Sequence, residues 1–330
     1  MIPVGISGIG SYVPKRILTN HELEQMVDTS DEWIRTRTGI VERRVTEEGV
    51  TTSDLGYEAS QRALVDAGIT ARDIDLIIVA TASPDMIFPS TSCILQKKLG
   101  VTNIPAFDVS AACAGFIFGL SVAQQYVASG TYNRVLFVGS DALTHFINWE
   151  DRNTCVLFGD GAGAVVLEKT EPDYGILSCA LAADGSGADL LEIPAGGANI
   201  PGSADSVKNG LHFIRMNGNE VFKFAVRAIP DICRRALNEA GLSVKDVDYF
   251  IPHQANSRII NTAAAKLGLN PEKVISNIDR YGNTSTASIP LALDEIWREG
   301  KLNKGEIVLL VGFGAGLTWG ANVIRWSRRG

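Results

Sequence analysis

Surplus positive charge, histidine, paired cysteines and long apolar runs are all scarce in this 330-residue chain, and each shortage removes a class of protein. Thirty Lys and Arg against 37 Asp and Glu leave a formal net charge of −7, so nucleic acid, whose phosphates demand a cationic face, is not an expected partner. An acidic protein partner would need a local basic patch. The five cysteines (Cys93, Cys113, Cys155, Cys179, Cys233) stand at least 20 residues apart, with no CxxC pair and an odd total. That spacing fits neither a disulfide framework nor a zinc ribbon and favours a reducing compartment. The longest apolar pieces, such as IDLIIVA and AGAVVL, fall far short of the ~20 residues that span a bilayer. The opening MIPVGISGIGSYVP has neither the basic flank nor the continuous apolar core of a secretory signal. A cytoplasmic protein with no membrane span is expected.

What is present is a globular composition: 45% hydrophobic and 20% charged residues, with 33 glycines that imply many tight turns. At roughly 150 residues per domain the length suggests about two domains, and the chain does repeat itself. Ala63 to Val79 aligns without a gap on Ala236 to Pro252, an offset of 173, with identities at Ala63/Ala236, Leu64/Leu237, Ala67/Ala240, Gly68/Gly241, Asp73/Asp246, Asp75/Asp248 and Ile78/Ile251. The same offset lays Val135–Gly139 (VLFVG) on Val308–Gly312 (VLLVG). A unit of roughly 170 residues is too long for a solenoid repeat, so two α/β halves related by a pseudo-twofold axis are expected, at 1–173 and 174–330. Each unit reads as a helix closed by glycine (Gly68, Gly241) followed by an apolar strand of the kind buried on both faces. Cys113 opens an almost wholly apolar helical stretch, buried between layers. Its counterpart should begin near Ser285. Residues 184–209 lack periodicity and read as a long loop that covers a site.

Three residues could carry chemistry. His253 follows the strand VDYFI, at the edge where open α/β sheets place ligands; a polar residue tied into a strand-end loop is the alternative. Cys113 sits at a helix N-terminus, where the dipole favours a thiolate and lowers the thiol pKa; an inert core cysteine is the alternative there. The other four cysteines read as core. Asn283 stands in a Gly-Asn turn before the second-half helix, at the position that the offset pairs with Ser110. Turns use asparagine for its backbone tolerance, but both halves would direct polar groups from equivalent strand-to-helix junctions toward the pseudo-twofold axis. The glycine clusters FGDGAGAVVL and VGFGAGLTWG lead into strands rather than helices, which excludes a dinucleotide fingerprint. Their expected role is close backbone approach to a reacting group.

The motifs DEWIRTRTGI (31–40), AACAGF (111–116), FGDGAGA (158–164), GNEVFKFAV (218–226), PHQAN (252–256), YGNTSTASIP (281–290) and FGAGLTWG (313–320) together resemble β-ketoacyl-acyl-carrier-protein synthase III, a condensing enzyme of type II fatty acid synthesis. The resemblance implies a thiolase-like α/β fold in a layered αβαβα arrangement and a Cys-His-Asn set at Cys113, His253 and Asn283. Asn283 stands where elongating relatives need a second histidine, which favours the initiating class. It further implies an oxyanion hole from the N–H groups of Cys113 and Ala315, CoA contacts at Trp33, Arg37, Arg152 and Asn219, and carrier-protein docking at Arg258 and Lys223. The primer pocket would involve Phe158 and Phe88, the latter lent across a homodimer interface. Ala315 stands where some relatives have glycine, and a positive φ there would strain it. The implied substrates are an acyl-CoA, acetyl-CoA in particular, and malonyl-acyl-carrier protein; no metal or other cofactor is implied. Two rivals remain: another thiolase-fold enzyme, such as a secondary-metabolite starter synthase or a 3-hydroxy-3-methylglutaryl-CoA synthase, and a catalytically dead scaffold. Intact Cys113, His253 and Asn283 argue against the second.

Overall fold

The structure, a computed structural model, describes residues 2–329. The first half runs through β1 (Val4–Tyr12), β2 (Ile17–Thr19), α1 (Asn20–Leu23), α2 (Asp31–Thr38), β3 (Glu42–Arg44), α3 (Thr52–Ala67), β4 (Leu76–Ala80) and α4 (Thr91–Leu99). It continues with β5 (Ala106–Val109), α5 (Gly115–Ala128), β6 (Arg134–Asp141), α6 (Arg152–Cys155) and β7 (Gly161–Lys169). The second half contains β8 (Gly175–Ala183), β9 (Leu191–Glu192), α7 (Ala204–Lys208), β10 (Arg215–Met216), α8 (Gly218–Glu239) and β11 (Tyr249–Pro252). After these come α9 (Ser257–Leu267), α10 (Ile278–Tyr281), α11 (Ser288–Arg298), β12 (Ile307–Gly314) and β13 (Thr318–Arg325).

Two main sheets result, ordered β1-β7-β6-β4-β5 and β8-β13-β12-β11. Read in this direction the orders coincide, and the offset of 173 carries the bounds of β6 onto those of β12. The fifth strand has no full counterpart: β5 pairs along β4 in parallel, whereas the second half keeps only an isolated parallel bridge between Phe250 and Val274. β4 is buried at every residue, as its unbroken apolar run requires.

Helices α5 and α11 lie between the sheets. Phe116, Ile117 and Leu120 of α5 and Ile289 and Leu293 of α11 share one core with Ile78 of the first sheet and Val308 and Leu310 of the second. Burying each such side chain contributes roughly 1.5–3 kcal/mol. Outside, α3 covers the first sheet and α8 with α9 covers the second, which completes five αβαβα layers. Glycine sets the outer spacing at Gly8 and Gly10 of β1, where a Cβ would come within 2.3 and 2.4 Å of the backbone of Ala63. Only bare backbone there lets α3 settle onto its strand.

The segment 184–209 corrects the expectation of a structureless loop. A 3-10 turn (Gly185–Leu190), β9 and α7 occupy much of it. The local cause at α7 is a reciprocal cap, in which the backbone N–H groups of Ser203 and Ser206 each donate to the other's hydroxyl.

Candidate active site

Four chain crossings converge at the pseudo-twofold axis. Cys113 lies in the 3-10 turn before α5, Asn283 precedes the matching turn before α11, His253 follows β11, and Ala315 follows β12. The two turns are strained alike: Ala112 has φ 45° and Ser285 φ 50°, non-glycine residues in the left-handed region 173 positions apart. Strain of this kind costs on the order of 1–3 kcal/mol and persists only where surroundings enforce it. Here the Asn283 side-chain carbonyl accepts the Ser285 N–H at 2.9 Å. Next to it, Thr286 donates its N–H and hydroxyl to Asp141 at 3.0 and 2.6 Å.

These anchors orient the polar groups. With its carbonyl engaged and its backbone paired to Leu157 and Gly159, Asn283 has its amide N–H groups left to donate. His253 Nδ1 sits 2.7 Å from the Ser288 hydroxyl, whose oxygen accepts the Gln254 N–H at 3.3 Å. That hydroxyl is free to donate its proton to Nδ1, and in that tautomer the ring carries its own proton on Nε2. Burial lowers the His253 pKa to about 3, so the imidazole is neutral. The Ser285 hydroxyl donates to Cys113 Sγ at 3.2 Å.

The thiol corrects one expectation. Burial pushes Cys113 up to about 12, and although the Ser285 hydrogen bond pulls it down, the Asp141 carboxylate adds to the rise. Desolvation outweighs the pull expected from its place at a helix N-terminus. The reading of all other cysteines as core also fails, because Cys93 is exposed and Cys179 only half-buried.

Cys113, Phe158 and Leu191 are common to two cavities. One, of about 240 Å³, is bounded by Leu143, Leu191, Ile193 and Ala315; the other, of about 120 Å³, by His253, Asn283, Phe222 and Phe313. Leu191 and Ile193 come from the 184–209 segment, which does wall a cavity as expected. At the back, a Cβ on Gly314 would fall 2.6 Å from the Cys113 nitrogen, so glycine there brings the FGAG backbone against the nucleophile. Positive φ falls on Gly316 (134°) and not on Ala315, which removes the expected strain from the alanine.

The remaining expected residues sit further out. Arg37 and Arg152 both pack on the Trp33 ring, at 5.0 and 4.8 Å from its centroid. Asn219 is exposed at the start of α8. Arg258 lies over Phe222, a wall of the second cavity, at 5.4 Å, while Lys223 is exposed and paired with Glu220. Phe88 is 83% exposed beside Met86 and Ile87 and borders neither cavity of its own chain. The sequence reading missed Ser285, Ser288, Asp141 and Thr286. The offset does carry Thr286 onto Cys113 and Ser285 onto Ala112, a signal that was available.

The family profile described as 3-Oxoacyl-[acyl-carrier-protein (ACP)] synthase III matches residues 107–185, and its C-terminal counterpart matches 237–326. A beta-ketoacyl-[acyl-carrier-protein] synthase III of Caldanaerobacter subterraneus subsp. tengcongensis is 55% identical over 99% of both chains. One from Desulfitobacterium hafniense (strain Y51) is 52% identical over 100% of both. The crystal structure of 3-oxoacyl-[acyl-carrier-protein] synthase III from Aquifex aeolicus VF5 superimposes with a TM-score of 0.91 at 47% identity, covering 98% of this chain and 100% of that one.

Proposed function

The chain belongs to the 3-oxoacyl-[acyl-carrier-protein] synthase III family, and from that premise we propose how its residues divide the reaction. The enzyme is an acyltransferase that initiates fatty acid synthesis by condensing an acyl-CoA primer with malonyl-acyl-carrier protein. In our reading the primer is acetyl-CoA, its acyl chain occupying the apolar cavity of about 240 Å³. Cys113 Sγ attacks the thioester carbon, the C–S bond to CoA breaks, and the thiol proton leaves with the CoA sulfur. The N–H groups of Cys113 and Ala315 hold the intermediate's oxyanion. Trp33, Arg37, Arg152 and Asn219 hold the CoA, with Arg152 swinging off the Trp33 face to admit the adenine.

The carrier protein then docks its acidic surface on Arg258 and Lys223, and the malonyl arm reaches the second cavity. Loss of CO2 leaves an enolate whose oxygen accepts from His253 Nε2–H and the Asn283 amide; its carbon attacks the acyl-cysteine. Cys113 departs as a thiolate and, with its high pKa, takes up a proton from solvent in place of the one that left with CoA. Two neutral donors suit the enolate, since a strong acid would protonate its carbon before it could attack. The thioesters and protein groups supply every step, so the scheme calls on no metal or redox cofactor. We further assign a cytoplasmic homodimer in which Phe88 closes the partner's primer cavity, and halves divided at 173/174. Among the described residues no helix is long and apolar enough to cross a membrane.

The observation that carries this reading is Cys113 at the wall common to two cavities, with His253 and Asn283 bordering only the second. Incubation with acetyl-CoA followed by peptide mapping should place the acetyl group on Cys113 alone, and malonyl-carrier protein should discharge it with release of CO2. An adduct on Cys93, Cys155, Cys179 or Cys233 instead would overturn the mechanism.

A further inference from the structure

Arg43, on β3, is a fully buried cation with only neutral partners. Burial lowers its pKa to about 10, which leaves it charged at neutral pH. Its two terminal nitrogens make four hydrogen bonds: Nη1 to the Leu18 carbonyl at 3.1 Å and to Asn20 Oδ1 at 3.0 Å, Nη2 to Asn20 Oδ1 at 2.9 Å and to the Val156 carbonyl at 2.9 Å. Two of the three partner residues, Asn20 and Val156, lead outward to the nucleotide end of the entrance. Asn20, itself buried, passes the contact on, since its Nδ2 donates to Asp31 Oδ1 at 2.9 Å, and Asp31 is the first residue of α2, which carries Trp33. On the other side, Val156 is the residue that caps α6, which begins at Arg152. One guanidinium therefore fastens both elements whose side chains face each other across the Trp33 ring. A lysine could not do this, because a single ammonium cannot span Asn20 and Val156 with planar, divergent donors.

We propose that Arg43 is the positioning residue of the CoA-binding entrance, fixing α2 against α6 so that Trp33 and Arg152 can receive the adenine between them. The inference rests on the reading of Trp33 and Arg152 as the nucleotide clamp. Burying a cation costs several kcal/mol even after relaxation, and a fold that needed only packing here could use an apolar side chain of the same size.

The test compares two primer donors, acetyl-CoA and S-acetyl-N-acetylcysteamine, which carries the thioester without the nucleotide. Arg43→Met should lose at least about fivefold more kcat/KM on acetyl-CoA than on the short thioester, and bind adenosine 3′,5′-bisphosphate correspondingly less tightly by calorimetry. Asp31→Ala, which cuts the same chain at a half-buried position and spares the core, should show the same preference and decides the matter if Arg43→Met does not fold. Equal losses on both donors would mean that Arg43 merely supports the fold, and the inference would fall. Trp33→Ala is the control for the underlying reading. If it does not discriminate between the donors, the clamp assignment fails; if it does while Arg43→Met and Asp31→Ala do not, only the role of Arg43 is lost.

Discussion

In the proposed mechanism His253 donates from Nε2 while Ser288 holds Nδ1, and that role sets what each variant should do. His253→Ala and Asn283→Ala should still take up acetyl from CoA, while CO2 release from malonyl-carrier protein falls by about 10² to 10³, the usual cost of one preorganised oxyanion donor. Labelled substrates follow the two half-reactions separately. Loss of acylation with normal decarboxylation would make His253 the base for the thiol. Burial also links His253 to stability. Its folded pKa of about 3 lies below the ~6.5 of an unfolded histidine, so between those values the unfolded chain binds the extra proton. The stabilisation is complete above pH 6.5 and is lost as pH falls toward 3. Thermal unfolding should register that decline, and His253→Gln should flatten it. At this scale the placement of Cys113, His253 and Asn283 around one cavity was legible in the sequence, because they stand at strand-to-helix junctions that a pattern can locate. The thiol's direction of shift was not. A helix N-terminus is local and readable, whereas desolvation of Sγ depends on walls from β9, β12 and the turn at Ser285.

Among the elements, the turn at 285–287 bears the most on the site and was the least visible beforehand. Asp141 at the end of β6 accepts from Thr81, Ala82, Ser83 and Thr286, tying the β4 exit to the turn that sets Ser285 and Asn283. None of its partners is a cation. Serines and threonines are common at chain reversals, and only the three-dimensional closure assigns these to one carboxylate. Thr286→Val keeps the side-chain volume and removes one hydroxyl from Asp141, which should cost about 1.5–3 kcal/mol in a urea titration. Both half-reactions should slow together, since Ser285 reaches Cys113 while Asn283 serves the second cavity. If stability falls and neither rate changes, Asp141 holds the fold without tuning the site. The strands and helices themselves followed the hydrophobic period. The missing fifth strand of the second sheet did not, because the offset speaks only for segments that kept their sequence, and 274–282 shares only Val274 with its counterpart 101–109 (at Val101) and bridges in a different register.

For the molecule as a whole, repetition was legible from two short matches at one offset, and the burial of the Cys113 helix between layers followed from its being apolar all round, while the αβαβα order came only with the family resemblance. How the halves depend on each other was not legible, since a sequence match says nothing about whether two copies share an interior. They do: α5 comes from the first half and α11 from the second, yet both pack into a single cluster with strands of both sheets. Neither half encloses this core by itself. Severed after residue 173, each piece would present the inner face of its sheet and one side of an apolar helix to water, a surface far larger than soluble monomers tolerate. Expressed separately, 1–173 and 174–330 should aggregate; expressed together, they should reassemble into an active, nicked enzyme. The intact chain should melt in one cooperative step by calorimetry, and two resolved transitions would show that the halves retain separate cores.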